Sequence, residues 1–451
     1  MSKAYGSEGQ GLSNRQANYA LAAFLLAYVL SFVDRQILSL MVDPIRRDLD
    51  ISDLQMGLLQ GMAFALLYAI LGVPVGLLAD RWPRKWIITV GVAFWSAATA
   101  LCGLASNYPM LFAARMAVGM GEATLSPSAH SFLSDAYPRH KLARAMAIYT
   151  LGITIGGGLA LMIGGAVIDL IGARETVSLG MFGTMRSWQA SFLIVASPGI
   201  IVAVLVALVR EPPRGRNQTP AMIAMGHQPK AADIGLRAMF GHFARNPKVF
   251  ASIYVSSCLL GVMGYGMTAW YPSLLIRNFG LSPGEAGRYL GFIFLILGSA
   301  GTVSGGLLSE RMALRGRQDA NLRVVALAAA GTAIPATLAP LMPSQWSVLL
   351  MFAPACFFFN SYFGCSVAAL QLATPPRMRA TNSALFLLAN ALIGLTAGSA
   401  IIPLLDSLFF GGSGNIALPL ASVAAIASTT AAVIAFAGCR TYGELATAQA
   451  A

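Results

Sequence analysis

The chain has 451 residues, of which 57% are hydrophobic and 11% charged, and its mean hydropathy is +0.68. A soluble domain carries about a quarter charged residues, so water alone cannot solvate this surface and lipid must serve as solvent. The net charge of +12 does not point to nucleic acid, because the bases form no single patch or helical stripe and instead punctuate short gaps between apolar runs.

Met1 to Gln16 is polar, with Lys3 and Arg15 its only bases and no small-residue cleavage site before the first apolar run. We expect no cleaved signal peptide. A membrane helix needs roughly 20 mostly apolar residues. Twelve such runs follow, at about 17–41, 55–79, 86–105, 108–134, 143–171 and 188–209, then 249–274, 284–308, 323–342, 345–373, 378–405 and 416–438. The longest gap opens with the helix stop Arg210-Glu211-Pro212-Pro213 and runs to Lys248. Within it, Ala232–Arg245 alternates apolar and basic residues, which suits either a solvated linker or a helix lying on the inner leaflet. The expected organisation is therefore a six-helix bundle over 1–212, a cytoplasmic interdomain loop over 213–247, and a second six-helix bundle over 248–451.

Orientation follows from the bases. With the N-terminus inside, the inner segments hold 22 of the 30 Lys and Arg, the outer loops hold five (Arg46, Arg47, Arg174, Arg186, Arg277), and Arg35, Arg115 and Arg288 fall within spans. The positive-inside rule then puts both termini in the cytoplasm. Cys102, Cys258, Cys356, Cys365 and Cys439 lie in apolar runs without metal-ligand spacing or a disulfide framework. His130, His140, His227 and His242 are scattered, so neither a metal site nor an enzyme's nucleophile–base pair is expected.

The two halves repeat a signature. Gly76-Leu77-Leu78-Ala79-Asp80-Arg81 closes the second run and Gly306-Leu307-Leu308-Ser309-Glu310-Arg311 closes the eighth. Parallel repeats of this kind are what two-domain transporters show. Gly76 to Lys85 closely resembles the loop signature of the major facilitator superfamily, and Arg115 to Ala123 resembles that superfamily's span-4 signature. With Val33-Asp34-Arg35 and Ala93-Phe94-Trp95-Ser96, the first half is similar to the spinster-like branch. The resemblance implies an all-α fold of two pseudo-symmetric six-helix bundles and a substrate of the sphingolipid or lysophospholipid kind.

Ionisable groups inside a span are costly and are functional candidates by default. Asp34 and Arg115 sit at similar depth from the outer ends of spans 1 and 4. Glu122 follows Arg115 by seven residues on nearly the same face, roughly 10 Å deeper, with Ser126 one turn further. A carboxylate out of water takes a proton more readily, a nearby guanidinium opposes this, and Arg itself stays charged. Asp34 and Glu122 are thus the candidate protonatable pair and Arg115 the switch between them, in line with the coupling role that the resemblance implies for the span-4 Arg. The alternative is a static ion pair bracing span 1 against span 4. Arg35, turned about 100° from Asp34, either faces the cavity as a candidate for an anionic headgroup or snorkels outward, and Arg288 is a candidate for snorkelling.

The resemblance also implies that Asp80 braces the start of span 11, near Arg377-Met378-Arg379, when the cytoplasmic side closes. Arg81, Arg84 and Lys85 either bind inner-leaflet phosphates or only fix topology, and Glu310 and Arg311 are their counterparts. Gly152 and Gly156 in span 5, Gly394 in span 11 and the kink-former Pro127 in span 4 are candidate hinges or packing points. Span 5 partly resembles an antiporter signature, but Ile163 replaces its usual Pro, which leaves direction open. The second half offers an apolar wall, with Phe357, Tyr362 and the polar Asn360 as candidate substrate contacts. These features predict a monomeric multi-pass protein of the bacterial inner membrane that moves an amphiphilic lipid with protons. The alternative cargo is a drug or small organic anion. Its partners are substrate, protons and membrane lipids, with no nucleic acid, and its energy comes from the proton gradient without a cofactor.

Overall fold

A computed structural model of the chain describes residues 12–79, 81–171, 176–178, 184–214, 236–375, 378–412 and 414–450. Each apolar run is helical, as lipid demands, since it offers no partner for a free backbone N–H or C=O. The first half comprises Asn14–Leu40 (span 1), Asp53–Gln60 with Met62–Ala79 (span 2), Arg84–Cys102 (span 3), Tyr108–Glu122 with Leu125–Ala136 (span 4), Arg139–Ile171 (span 5) and Ser187–Ala196 with Pro198–Ala207 (span 6). The second half comprises Pro247–Phe279 (span 7), Pro283–Ile293 with Ser299–Leu314 (span 8), Ala320–Leu338 (span 9), Gln345–Asn360 with Phe363–Leu372 (span 10), Arg379–Ala389 with Thr396–Phe409 (span 11) and Ala417–Ala450 (span 12). Spans 8 and 11 each pass through a π-helical turn, Phe294–Gly298 and Asn390–Leu395.

Among the described residues, eleven helices are long and apolar enough to cross a membrane. Span 4 is the exception, because it is broken into pieces of 15 and 12 residues. The sequence places its kink at Pro127, but the helix breaks at Ala123-Thr124. Pro127 lacks an N–H and its ring crowds the carbonyl four residues earlier, that of Ala123. The break therefore falls one turn upstream, directly after Glu122.

The end of the bundle that the basic-residue count assigns to the outside is well capped. Ser52, Ser282, Ser344 and Asn107 open spans 2, 8, 10 and 4, each accepting the backbone N–H three residues on. A short outer helix, Val42–Leu49, is tied down through Asp48, which accepts from Trp188 Nε1 at 2.9 Å and pairs with Arg186 at 2.9 Å. Arg186 ends a hairpin, Thr176–Ser178 against Thr184–Arg186, that periodicity did not foretell.

Close packing explains many glycines. Span 5 is one unbroken helix rather than a hinged one. Side-chain atoms at Gly152 and Gly156 would strike Tyr28 and Phe32 of span 1, so these two are contact points. The halves meet along spans 5 and 8, where Gly158 faces the Gly291 carbonyl, and along spans 2 and 11, where Gly57 and Gly61 face Ser399. Gly394 lies in the π turn of span 11 against Gly261 of span 7. Of the expected amphipathic segment, 232–235 lie outside the described residues. The helix Leu236–Arg245 sets Phe243 against Phe250, ring centroids 4.4 Å apart, and His242 Nε2 3.2 Å from the Ala373 carbonyl. That face covers protein rather than the leaflet.

Candidate functional site

Four charges gather in the middle of the first half. Asp34, Arg115 and Glu122 are 0%, 1% and 3% exposed. Consecutive residues on a helix point about 100° apart, so Asp34 and Arg35 on span 1 reach different partners. Arg35 donates through Nε to Glu122 Oε2 at 2.8 Å, and through Nη2 to the same oxygen. Its guanidinium lies 4.3 Å from the centroid of Phe64, 5.2 Å from Phe32 and 5.4 Å from Tyr68, a three-sided aromatic cage. Arg115 donates through Nη1 to the backbone carbonyl of Asp34 at 3.0 Å. Among the described residues, Arg115 Nε, Glu122 Oε1 and both oxygens of the Asp34 carboxylate have no partner at hydrogen-bond geometry, although the Ser31 hydroxyl stands near Glu122, and the Thr99 hydroxyl and the Arg115 charge act on Asp34. Thr99 and Cys102 of span 3 stand beside it.

The sequence-based pairing is thus rearranged. Arg115 does not bridge Asp34 and Glu122. Arg35, expected to await an anionic headgroup, is held by Glu122, although its side chain remains 21% exposed. Ser126 sits half-buried beside Tyr28 and Tyr149, whose rings stack at 5.0 Å. On the second half, Asn360 donates its amide to the Cys356 carbonyl at 2.8 Å and packs against Gly298. Phe357 backs onto Gly301, and Tyr362 is buried in the break of span 10 between Phe359 and Phe363. None of the three makes a hydrogen bond, ion pair or ring contact with the first half among the described residues. Tyr265 of span 7, half-buried, lies within electrostatic reach of Arg35 and Tyr68 instead.

The gate residues separate. Asp80 and Arg377 lie outside the described residues. Arg81, Glu310 and Arg311 are exposed. Arg84 is corrected: it is 1% exposed and bonds Glu211 at 2.8 Å, Asp135 at 2.6 Å and the Ser131 carbonyl at 3.0 Å. It clamps spans 3, 4 and 6 together and is free neither for phosphates nor for span 11. Lys85 joins this clamp through its backbone N–H to Glu211. Arg288 pairs with Asp169 at 3.1 Å rather than snorkelling.

Sequence reasoning missed the cage and Tyr265. The signal was present as aromatics four apart, Tyr28 with Phe32 and Phe64 with Tyr68, on two spans flanking the charges. It also missed Arg277 as anything but a topology marker. Arg277 of span 7 bonds both Asp43 and Asp53 of the first half.

The sequence profile of the Major Facilitator Superfamily matches residues 24–399. The chain belongs to that superfamily and is a membrane-spanning transporter. Within it, the chain is spinster-like. Its fold superposes with a TM-score of 0.77 on the crystal structure of a bacterial homologue of the human lysosomal transporter Spinster, in an inward-facing and unoccupied conformation. That pair is 28% identical, covering 97% of this chain and 98% of the other. Among curated relatives, an MFS-type efflux pump of Mycolicibacterium smegmatis is 28% identical over 395 residues, 87% of this chain and 86% of that protein. Protein spinster of Drosophila melanogaster is 24% identical over 306 residues, 66% of this chain and 46% of that longer protein.

Proposed function

We propose that this chain is a proton-coupled secondary transporter of an amphiphile with an anionic headgroup and an apolar tail, working as a monomer by alternating access in the cell membrane. The observation that carries this reading is the Asp34–Arg35–Arg115–Glu122 cluster, in which one buried carboxylate is paired with a caged guanidinium and the other, among the described residues, has no ion pair and only the Thr99 hydroxyl and the Arg115 charge nearby. A buried carboxylate without an ion pair is expensive, and a proton on Asp34 removes that cost. An anionic headgroup entering from the cleft competes with Glu122 for Arg35. Once released, Glu122 is in the same position as Asp34 and takes a proton in turn. Headgroup binding and protonation are then coupled through one guanidinium, Arg35, while Arg115 anchors the backbone of span 1. The aromatic cage and Tyr265 give the tail an apolar path beside the charge.

The efflux-pump relative favours a second reading, export of drugs or small organic anions through the same charge cluster. Thermal stabilisation of the purified protein by a panel of lysophospholipids, sphingoid lipids, aromatic drugs and small organic acids separates the two. The lipid reading expects the largest shifts from anionic single-chain lipids, lost in Arg35→Gln. Shifts from drugs or short acids alone would replace it with the second reading.

A further inference from the structure

We propose that Arg277 is the bolt of a charge lock holding the outer ends of the two halves together, and that it thereby sets the balance between inward- and outward-facing states. Among the described residues, every ion pair between the halves lies at this outer end. Each takes its acid from the first half and its base from the second. Arg277 donates to Asp43 at 2.9 Å and twice to Asp53, at 3.0 and 2.8 Å. It also reaches the Gly414 carbonyl at 3.2 Å, and the N–H of Gly414 is held by Asp406 at 3.0 Å. Arg46 grips Asp53 from the other side at 3.2 Å. One guanidinium therefore ties span 7 and the loop before span 12 to the outer helix and to the start of span 2.

The bolt is mounted on a rigid corner. Span 7 ends at Gly280, whose φ of +67° suits a residue without a side chain. Span 8 starts almost at once, with the Ser282–Glu285 capping box. The same corner carries Arg288, which pairs with Asp169 of span 5. The two pairs differ in burial. Arg277 and Asp53 are 14% and 11% exposed, whereas Arg288 and Asp169 are 52% and 35% exposed. Water and salt screen the second pair and leave the first nearly intact. Opening the outer mouth must break the Arg277 bonds to Asp43 and Asp53, so loss of Arg277 should favour the outward-open state, while loss of Arg288 should do little.

The test needs no substrate, so its failure is distinct from failure of the cargo reading. Spin labels are placed at Arg47→Cys and Asn415→Cys, both exposed and on opposite halves. Cys258, the native thiol that is not buried, is changed to Ala. Distances across the outer mouth are read by double electron–electron resonance in nanodiscs. Arg277→Gln should raise the ratio of long to short distances roughly tenfold, the scale of one lost multi-bond charged contact. Arg288→Gln should change it less than about twofold. Arg277→Asp and Asp53→Arg should each open the mouth, and the double exchange should close it again. An unchanged distribution in Arg277→Gln would overturn the proposal. So would equal effects of the two arginines, or a double exchange that stays open. If Arg277→Gln does not fold, the exchange pair decides the question on its own.

Discussion

Arg35 and Glu122, 87 residues apart on spans 1 and 4, close an ion pair inside an aromatic cage, and among the described residues this leaves the Asp34 carboxylate next door without an ion pair. In the proposed cycle this pairing gives the two acids different tasks, with Glu122 competing with substrate for a charge and Asp34 taking a proton.

Removing Arg35 should therefore do more than weaken binding. Arg35→Gln strands Glu122 as a buried charge, and headgroup affinity should fall by at least tenfold, about 1.4 kcal/mol. Arg35→Lys should recover only part of this, since an ammonium cannot fill the planar cage as a guanidinium does. Binding isotherms with an anionic single-chain lipid give the answer.

Asp34→Asn should flatten the pH dependence of uptake while keeping substrate exchange at zero gradient, because the amide mimics the protonated acid. Counterflow and gradient-driven uptake, measured in parallel across pH 5.5–8, would show the split. Loss of both activities together would mean a purely structural Asp34.

Arg84 should behave as a fold determinant. Truncation to Ala leaves Asp135 and Glu211 facing each other without their shared base, at a cost of about 3–5 kcal/mol for a broken buried pair. Thermal unfolding in detergent should show a large drop for Arg84→Ala and almost none for the exposed Arg81→Ala.

Gly158 allows spans 5 and 8 to meet backbone to backbone, and an added methyl would strike the Gly291 carbonyl and Leu295. Gly158→Val should force the halves apart, with about 1–3 kcal/mol of overpacking strain. Gly157→Val, where the space is open, is the control. Transport rate and unfolding temperature should both fall only in the first.

The fold was legible because lipid leaves the backbone few choices, and apolar length alone located the spans. The charge cluster was legible for a related reason: four ionisable groups in two spans are too costly to be incidental. Their pairing was not legible. Two acids and two bases at similar depth admit several matches, and a guanidinium's reach exceeds the precision with which helix rotation can be read. Arg84 misled because it sits in a basic loop signature, while its partners Asp135 and Glu211 come from the end of span 4 and the segment after span 6. The kink at Pro127 was placed one turn late because the steric conflict acts on the carbonyl four residues earlier. The Asp80–Arg377 contact falls outside the described residues and stays an expectation.

The central claim is that substrate and proton movement are coupled through Arg35, Glu122 and Asp34. The most direct measurement is substrate-driven proton flux, read with a pH dye trapped in proteoliposomes that start without a pH gradient. The account predicts that an imposed gradient of an anionic single-chain lipid shifts lumenal pH in the wild type, and that the shift disappears in Asp34→Asn and in Glu122→Gln. A wild-type pH shift retained in both variants would contradict it.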